Sequence, residues 1–225
     1  MKEEIIIFTG SFGSGKTEIA INQSIEALKR KENVVVVDLD IVNPYFRSRD
    51  MREKLKEIGI KVIAPPGKFA IADLPIISPE IKGTIEDSER KLIIDLGGDD
   101  VGARSIASFY PVLKNIGYQM YMVINPYRPF TQNSEEIQIM LQEIEQSSRL
   151  KISSLISNPN LGEQTDLEII EKGHNIVKEA SKKLCLPIKY LTIEKSIHQK
   201  IGEHDFREKI MLIHRYMSLP WDESS

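Results

Sequence analysis

Cysteine is nearly absent from this chain. Cys185 is the only one in 225 residues, which excludes an internal disulfide and a multi-cysteine metal centre within one chain. It lies between Leu184 and Leu186, so the sequence predicts a buried, inert thiol. Long apolar runs are missing too: none approaches the ~20 residues that a membrane-spanning helix needs. There is no large excess of charge of one sign. Lys and Arg number 30 and Asp and Glu 33, a net charge of −3, so nothing in the balance calls for a nucleic-acid partner. No internal repeat or low-complexity tract interrupts the chain. Lys2, Glu3 and Glu4 lead straight into an apolar run with no secretory leader, so a cytoplasmic location is expected. Hydrophobic residues make up 41% and charged residues 28%, an ordinary soluble composition, and the length predicts one domain over 1–225.

Glycine is not abundant, but it is concentrated at one place. Gly10-Ser11-Phe12-Gly13-Ser14-Gly15-Lys16-Thr17 fits G-x-x-x-x-G-K-[ST], the phosphate-binding P-loop. The glycines let the backbone turn tightly and bring its N–H groups to a polyphosphate. Lys16 places a charge on the β- and γ-phosphates, and Thr17 offers its hydroxyl to Mg²⁺. The context agrees. Ile5, Ile6, Ile7 and Phe8 form a doubly buried strand before the loop, and Ile21, Ile25 and Leu28 recur at helical spacing after it.

Strand and helix signals then alternate. Strands are predicted at Val34–Val37, Lys61–Ile63, Lys91–Ile94, Tyr118–Ile124, Ile152–Ser157 and Ile188–Ile193. Helices are predicted at 47–58, 102–116, 130–149 and 164–184, with a C-terminal helix at about 204–218 carrying Phe206, Ile210, Ile213 and Met217. Residues 64–79 are rich in proline and apolar side chains and predict an ordered loop, packed over the sheet or contacting a partner. The fold class expected is α/β: a mostly parallel sheet of about seven strands with helices on both faces, the three-layer sandwich of P-loop NTPases.

Ligands of such sheets bind at the carboxyl ends of the strands. Asp38 and Asp40 close the second strand, two residues apart, so both project to one side. Asp95 closes the fourth, and Gly98 follows in a D-x-x-G pattern where a bare backbone N–H can approach a γ-phosphate. Asp95 suits a Mg²⁺ shell. Asp99 and Asp100 are read as caps of the next helix. Asn158 follows the sixth strand. His174 falls in an apolar helical stripe and is read as a packed structural histidine, and His198, His204 and His214 lack metal-ligand spacing. Arg47 and Arg49, after the D-x-D segment, either form a switch or begin a solvated helix face.

The order of P-loop, D-x-D, DLGG and late Asn resembles the MinD/ParA branch of P-loop ATPases, with the nitrogenase iron protein and dethiobiotin synthetase as relatives, over about residues 3–195. The stretch INPYRPFTQNSEEI at 124–137 also resembles the segment after the fifth strand of MinD-like proteins. The resemblance implies that Asp40 orients the hydrolytic water, that Asp38 and Asp95 support Mg²⁺ with Thr17, and that Asn158 reads the adenine edge. One departure stands out. Members that sandwich ATP between two subunits carry a lysine where this chain has Ser11, so their dimer mechanism lacks its cross-subunit cation, which Lys68 or Arg47 would have to replace. SNPN at 157–160 lacks the aspartate of N-K-x-D, which disfavours guanine. The expected function is a Mg²⁺-dependent ATP-binding protein that hydrolyses ATP slowly and acts as a switch on an unidentified protein partner, with a homodimer as a further candidate. The alternative is an ATP-dependent small-molecule kinase or ligase of the dethiobiotin-synthetase type.

Overall fold

Among the described residues eight strands, all parallel, form one sheet: β1 (Ile5–Thr9), β2 (Val34–Leu39), β3 (Lys61–Ile63), β4 (Lys91–Leu96), β5 (Gln119–Ile124), β6 (Ser154–Ser157), β7 (Ile188–Glu194) and β8 (Ile210–Ile213), in the order β3-β2-β4-β1-β5-β6-β7-β8. This computed structural model describes residues 5–40, 52–63, 79–87, 89–201 and 206–216. The segment 45–49 and all but the last residue of the 64–79 loop lie outside the described residues.

The strands are apolar throughout because both faces are covered. In β1, Ile5 and Ile7 join one core while Ile6 and Phe8 join the other. In β2, Val35, Val37 and Leu39 alternate in the same way with Val34 and Val36. On one face lie α1 (Lys16–Lys29), through Ile19, Ala20, Ile21 and Ala27, and α2 (Arg52–Glu57), through Leu55. The other face takes α3 (Pro79–Glu86), α5 (Tyr110–Ile116), α6 (Ser134–Ser148) and α7 (Leu167–Leu184). Each fully buried Ile, Leu or Val contributes ~1.5–3 kcal/mol, so this double layer fixes the register of the central strands. Two further short α-helices are α4 (Asp100–Arg104), capped by Asp99 as expected, and α8 (Lys195–Ile201).

The expected C-terminal helix at about 204–218 is corrected to the parallel edge strand β8. Ile210-Met211-Leu212-Ile213 is a continuous apolar run, too short to distinguish helix from strand by periodicity. Met211 and Ile213 pack on the α1 face, and Ile210 packs with Phe206 beside β7. The Asn22 side chain then fastens the backbone beyond the strand: its Nδ2 donates to His214 O and its Oδ1 accepts from His214 N, both at 2.8 Å. The Cys185 expectation is also overturned. Cys185 is exposed and terminates α7 in the left-handed conformation, φ 53°, so the C-cap geometry turns it away from the apolar stripe that Leu184 belongs to.

β1 sits where the chain reverses its direction of travel across the sheet. β2, β3 and β4 lie to one side of it and β5 to β8 to the other. Because all strands run the same way, the loops after β1, β2, β4, β5, β6, β7 and β8 share one rim. The crevice at such a reversal is where open α/β sheets place their ligands.

Candidate functional site

The P-loop fills that crevice. Gly15 is the N-cap of α1 at φ 92°, and no side chain caps the helix. The helix N-terminus, with its dipole, thus faces the crevice without a capping side chain. A β-carbon at Gly15 would lie 2.3 Å from Asn158 Nδ2, so glycine is required both for the backbone angle and for the close approach. Within the loop the Ser14 N–H donates to Ser11 O at 3.1 Å.

Lys16 and Asp40 form an ion pair at 2.7 Å with both side chains almost fully enclosed. Burial works against the lysine charge, but Asp40 and Asp95, with Asp99 behind them, outweigh it and hold the pKa above its ordinary value. The ammonium has three N–H donors, so one bond to Asp40 leaves capacity for a phosphate. Thr17 Oγ1 donates to Asp95 Oδ2 at 2.6 Å. A hydroxyl that donates keeps its lone pairs for a metal. Asp38 and Asp95 are register partners on β2 and β4, and Asp38 Oδ1 accepts the Asp40 N–H at 3.1 Å. Burial pushes the Asp95 carboxyl up to about 7, against the pull of Lys16 and with the help of Asp38 and Asp40.

Several buried polar atoms around the loop have no partner: Ser11 Oγ, Ser14 Oγ, Thr9 Oγ1 and Asp95 Oδ1. Orphans of this kind cost ~1–3 kcal/mol each, and clustered orphans mark a site built for something else. The donor set fits Mg²⁺: a threonine hydroxyl and a deprotonated Asp95, completed by phosphate and water, is the sparse protein share that Mg²⁺ takes. Among the described residues no three His, Cys, Asp or Glu side chains cluster with metal-binding geometry. Gly98 sits directly under the loop, where a β-carbon would fall 2.3 Å from Gly10 O.

Asn158 joins the loop to the far strands. Its Nδ2 donates to Ser14 O at 2.6 Å, and its Oδ1 accepts from Thr192 Oγ1 at 2.6 Å. One amide N–H and one carbonyl lone pair are left over. Asn125 does the same work for the neighbouring loops: its Nδ2 donates to Asn160 O at 2.8 Å and its Oδ1 accepts from Tyr127 N at 3.1 Å. A cavity of about 200 Å³ opens beside the P-loop, with Gly13, Lys16 and Thr17 on one wall and Asn125, Arg128, Asn158, Asn160, Glu194 and Arg215 on the other. Phe12 reaches its mouth and is 57% exposed.

The expected residues thus converge. Residues 10–17, Asp38, Asp40, Asp95, Gly98 and Asn158 meet on one rim. Asn125, Arg128, Thr192, Glu194 and Arg215 were not singled out. Asn125 and Glu194 do stand at ends of apolar strands, a signal that could have found them. Arg128, like Asn125, lies in the 124–137 stretch that resembles MinD-like proteins, but that resemblance assigns it no role; Thr192 carries no sequence signal, and Arg215 falls in the expected C-terminal helix that is here an edge strand and its exit. His174 is buried as expected, with Nδ1 3.0 Å from Ser157 Oγ and Nε2 2.8 Å from Glu208.

The fold and loop define an α/β protein of the P-loop NTPase type. No family model and no curated protein sequence matches the chain. Solved structures do match. Cell division protein FtsY from Thermotoga maritima superposes with a TM-score of 0.59 at 14% identity, covering 89% of this chain and 62% of that one. The signal recognition particle receptor FtsY from Elizabethkingia anophelis, in complex with GDP, gives 0.60 at 13% identity, covering 86% and 57%. The signal recognition particle 54 kDa protein from Aeropyrum pernix, also with GDP, gives 0.55 at 17% identity, covering 84% and 41%. This chain spans less than two thirds of each of these proteins, and at such identity the likeness is one of fold. Among the described residues no helix is long and apolar enough to cross a membrane.

Proposed function

We propose that this protein binds Mg²⁺ and a nucleoside triphosphate, ATP in our assignment, hydrolyses it slowly and works as a MinD/ParA-type switch on a partner protein. The observation that carries the reading is the pairing of adjacent P-loop residues with two different strand ends: Lys16 with Asp40 and Thr17 with Asp95, ringed by unpartnered buried oxygens. When bound, Mg²⁺ neutralises charge developing on the β- and γ-phosphate oxygens. Lys16 and the uncapped N–H groups of α1 hold the phosphates, the Thr17 hydroxyl and the Asp95 carboxylate hold the ion, and Asp40 orients the attacking water. Phosphoryl transfer depends on such positioning more than on covalent chemistry.

ATP is supported by Asn158-Pro159-Asn160-Leu161, which has no carboxylate to accept the paired N–H groups of guanine. One observation favours GTP as a second reading: the Glu194 carboxylate, at the end of β7, lines the cavity. The FtsY and signal-recognition structures with GDP point the same way. Competition between ATP and GTP for the wild-type protein decides between them. Phosphate release by wild type and Asp40→Ala then tests turnover: wild type is expected to release phosphate and the variant to fall to background. Equal rates would remove Asp40 from the reaction.

A further inference from the structure

Lys16 is the buried cation of the loop, and its charge already faces Asp40, Asp95 and Asp99. A triphosphate adds several more negative charges to the same small volume. The position after Gly10, where sandwich ATPases place a second lysine, is Ser11 here, and its hydroxyl is buried without a partner. Lys68 and Arg47, the replacements considered from the sequence, lie outside the described residues. The structure brings a different cation to the loop.

Arg128 comes from the segment between β5 and α6. Its Nε donates to Gly13 O at 3.3 Å, and it lines the cavity together with Gly13, Lys16 and Thr17. Gly13 permits the approach: its φ is 72°, and a β-carbon there would lie 3.1 Å from Arg128 Nε. The segment behind the arginine is well anchored. The Arg128 N–H donates to Asn125 O at 3.0 Å, Thr131 Oγ1 donates to Arg128 O at 3.2 Å, and Asn125 is buried and tied to Asn160. Among the described residues no carboxylate pairs with the guanidinium, whose only side-chain bond is the one to Gly13 O.

We infer that Arg128 is a phosphate-binding cation supplied by the same chain. It binds the polyphosphate of the bound nucleotide and stands in for the missing lysine without a second subunit. A guanidinium offers five N–H donors in a fixed fork, so one bond to the loop leaves the rest for phosphate oxygens. Its anchored backbone means that no loop has to order on binding, although the exposed side chain still loses rotamer freedom. This assignment rests on the nucleotide-binding reading above.

The test is a set of calorimetric titrations of wild type, Arg128→Gln and Arg128→Lys with ATP, ADP and AMP in Mg²⁺. Arg128→Gln is expected to weaken ATP about tenfold or more and AMP hardly at all, because the lost contact is charge-assisted and lies on the phosphate tail. Arg128→Lys should recover part of the loss, and the gap between wild type and Arg128→Gln should narrow as salt rises. Equal losses for ATP, ADP and AMP, or no loss, would overturn the assignment while leaving nucleotide binding intact. A wild-type protein that binds none of the three would overturn both.

Discussion

Gly98→Ala is a one-carbon perturbation aimed at the junction between the β4 loop and the P-loop. The added carbon would lie 2.3 Å from Gly10 O, 2.5 Å from Gly10 C and 3.1 Å from Gly10 Cα. Ordinary van der Waals contact begins at 3.4 Å, so the two backbones must part by about 1 Å. Neither side is a flexible side-chain end. Gly10 already sits at φ 147°, and its own β-carbon position is blocked by Val123 O at 2.3 Å, so it cannot retreat toward β5. Overpacking of this sort costs ~1–3 kcal/mol. For a chain of this size each kcal/mol lowers Tm by ~2–4 °C, which gives a fall of about 2–12 °C. The parting also displaces the P-loop, so nucleotide affinity should fall with stability. Gly83→Ala in α3 is the control: nothing lies within 4 Å of its β-carbon and it is helical, so it should gain up to ~1 kcal/mol. Calorimetric melts and ATP titrations of both variants read the result. A Gly98→Ala protein that melts and binds like wild type would refute the close packing of the two loops.

Asn158→Ala removes the bonds to Ser14 O and Thr192 Oγ1 and leaves the Thr192 hydroxyl only its longer bond to Ser157 O at 3.2 Å, so unfolding free energy should fall by ~1–3 kcal/mol, measured by urea denaturation. His174 gives a pH signature. Burial lowers its pKa below 6.5 despite the pull of Glu208, so the unfolded chain takes up the proton first. Stability should therefore decline as pH drops below about 6.5, and His174→Gln should show a shallower decline over the same range.

The P-loop and its aspartates were legible because each stands at the end of an apolar strand. In a parallel sheet covered on both faces, that position fixes the rim on which the side chain falls. The strand alternation was legible for the same reason: Val34–Val37 and Leu92–Ile94 are doubly buried and read as uninterrupted runs. What escaped depended on contacts far apart in sequence. Nothing near Ile210 shows that Asn22, 192 residues away from His214, will hold the chain as an edge strand. The α3 helix was hidden because Pro79, at its first position, reads as the end of the preceding loop. Cys185 looked buried between two leucines, but a left-handed C-cap breaks the helical stripe at that residue. Asn158 was identified by position, while its role in bracing Ser14 appears only when β6, β7 and the P-loop meet. Arg128 is the clearest such case: its stretch resembles MinD-like proteins, but only the fold lays its guanidinium against Gly13.

Every role proposed above depends on the Gly10–Thr17 loop holding the phosphates of a nucleotide through Lys16. Calorimetric titration of ATP in Mg²⁺ into wild type and into folded Lys16→Ala protein tests it most directly. Saturable binding by wild type and its near loss in the variant is the predicted result. Equal affinity in a folded Lys16→Ala protein would contradict the account.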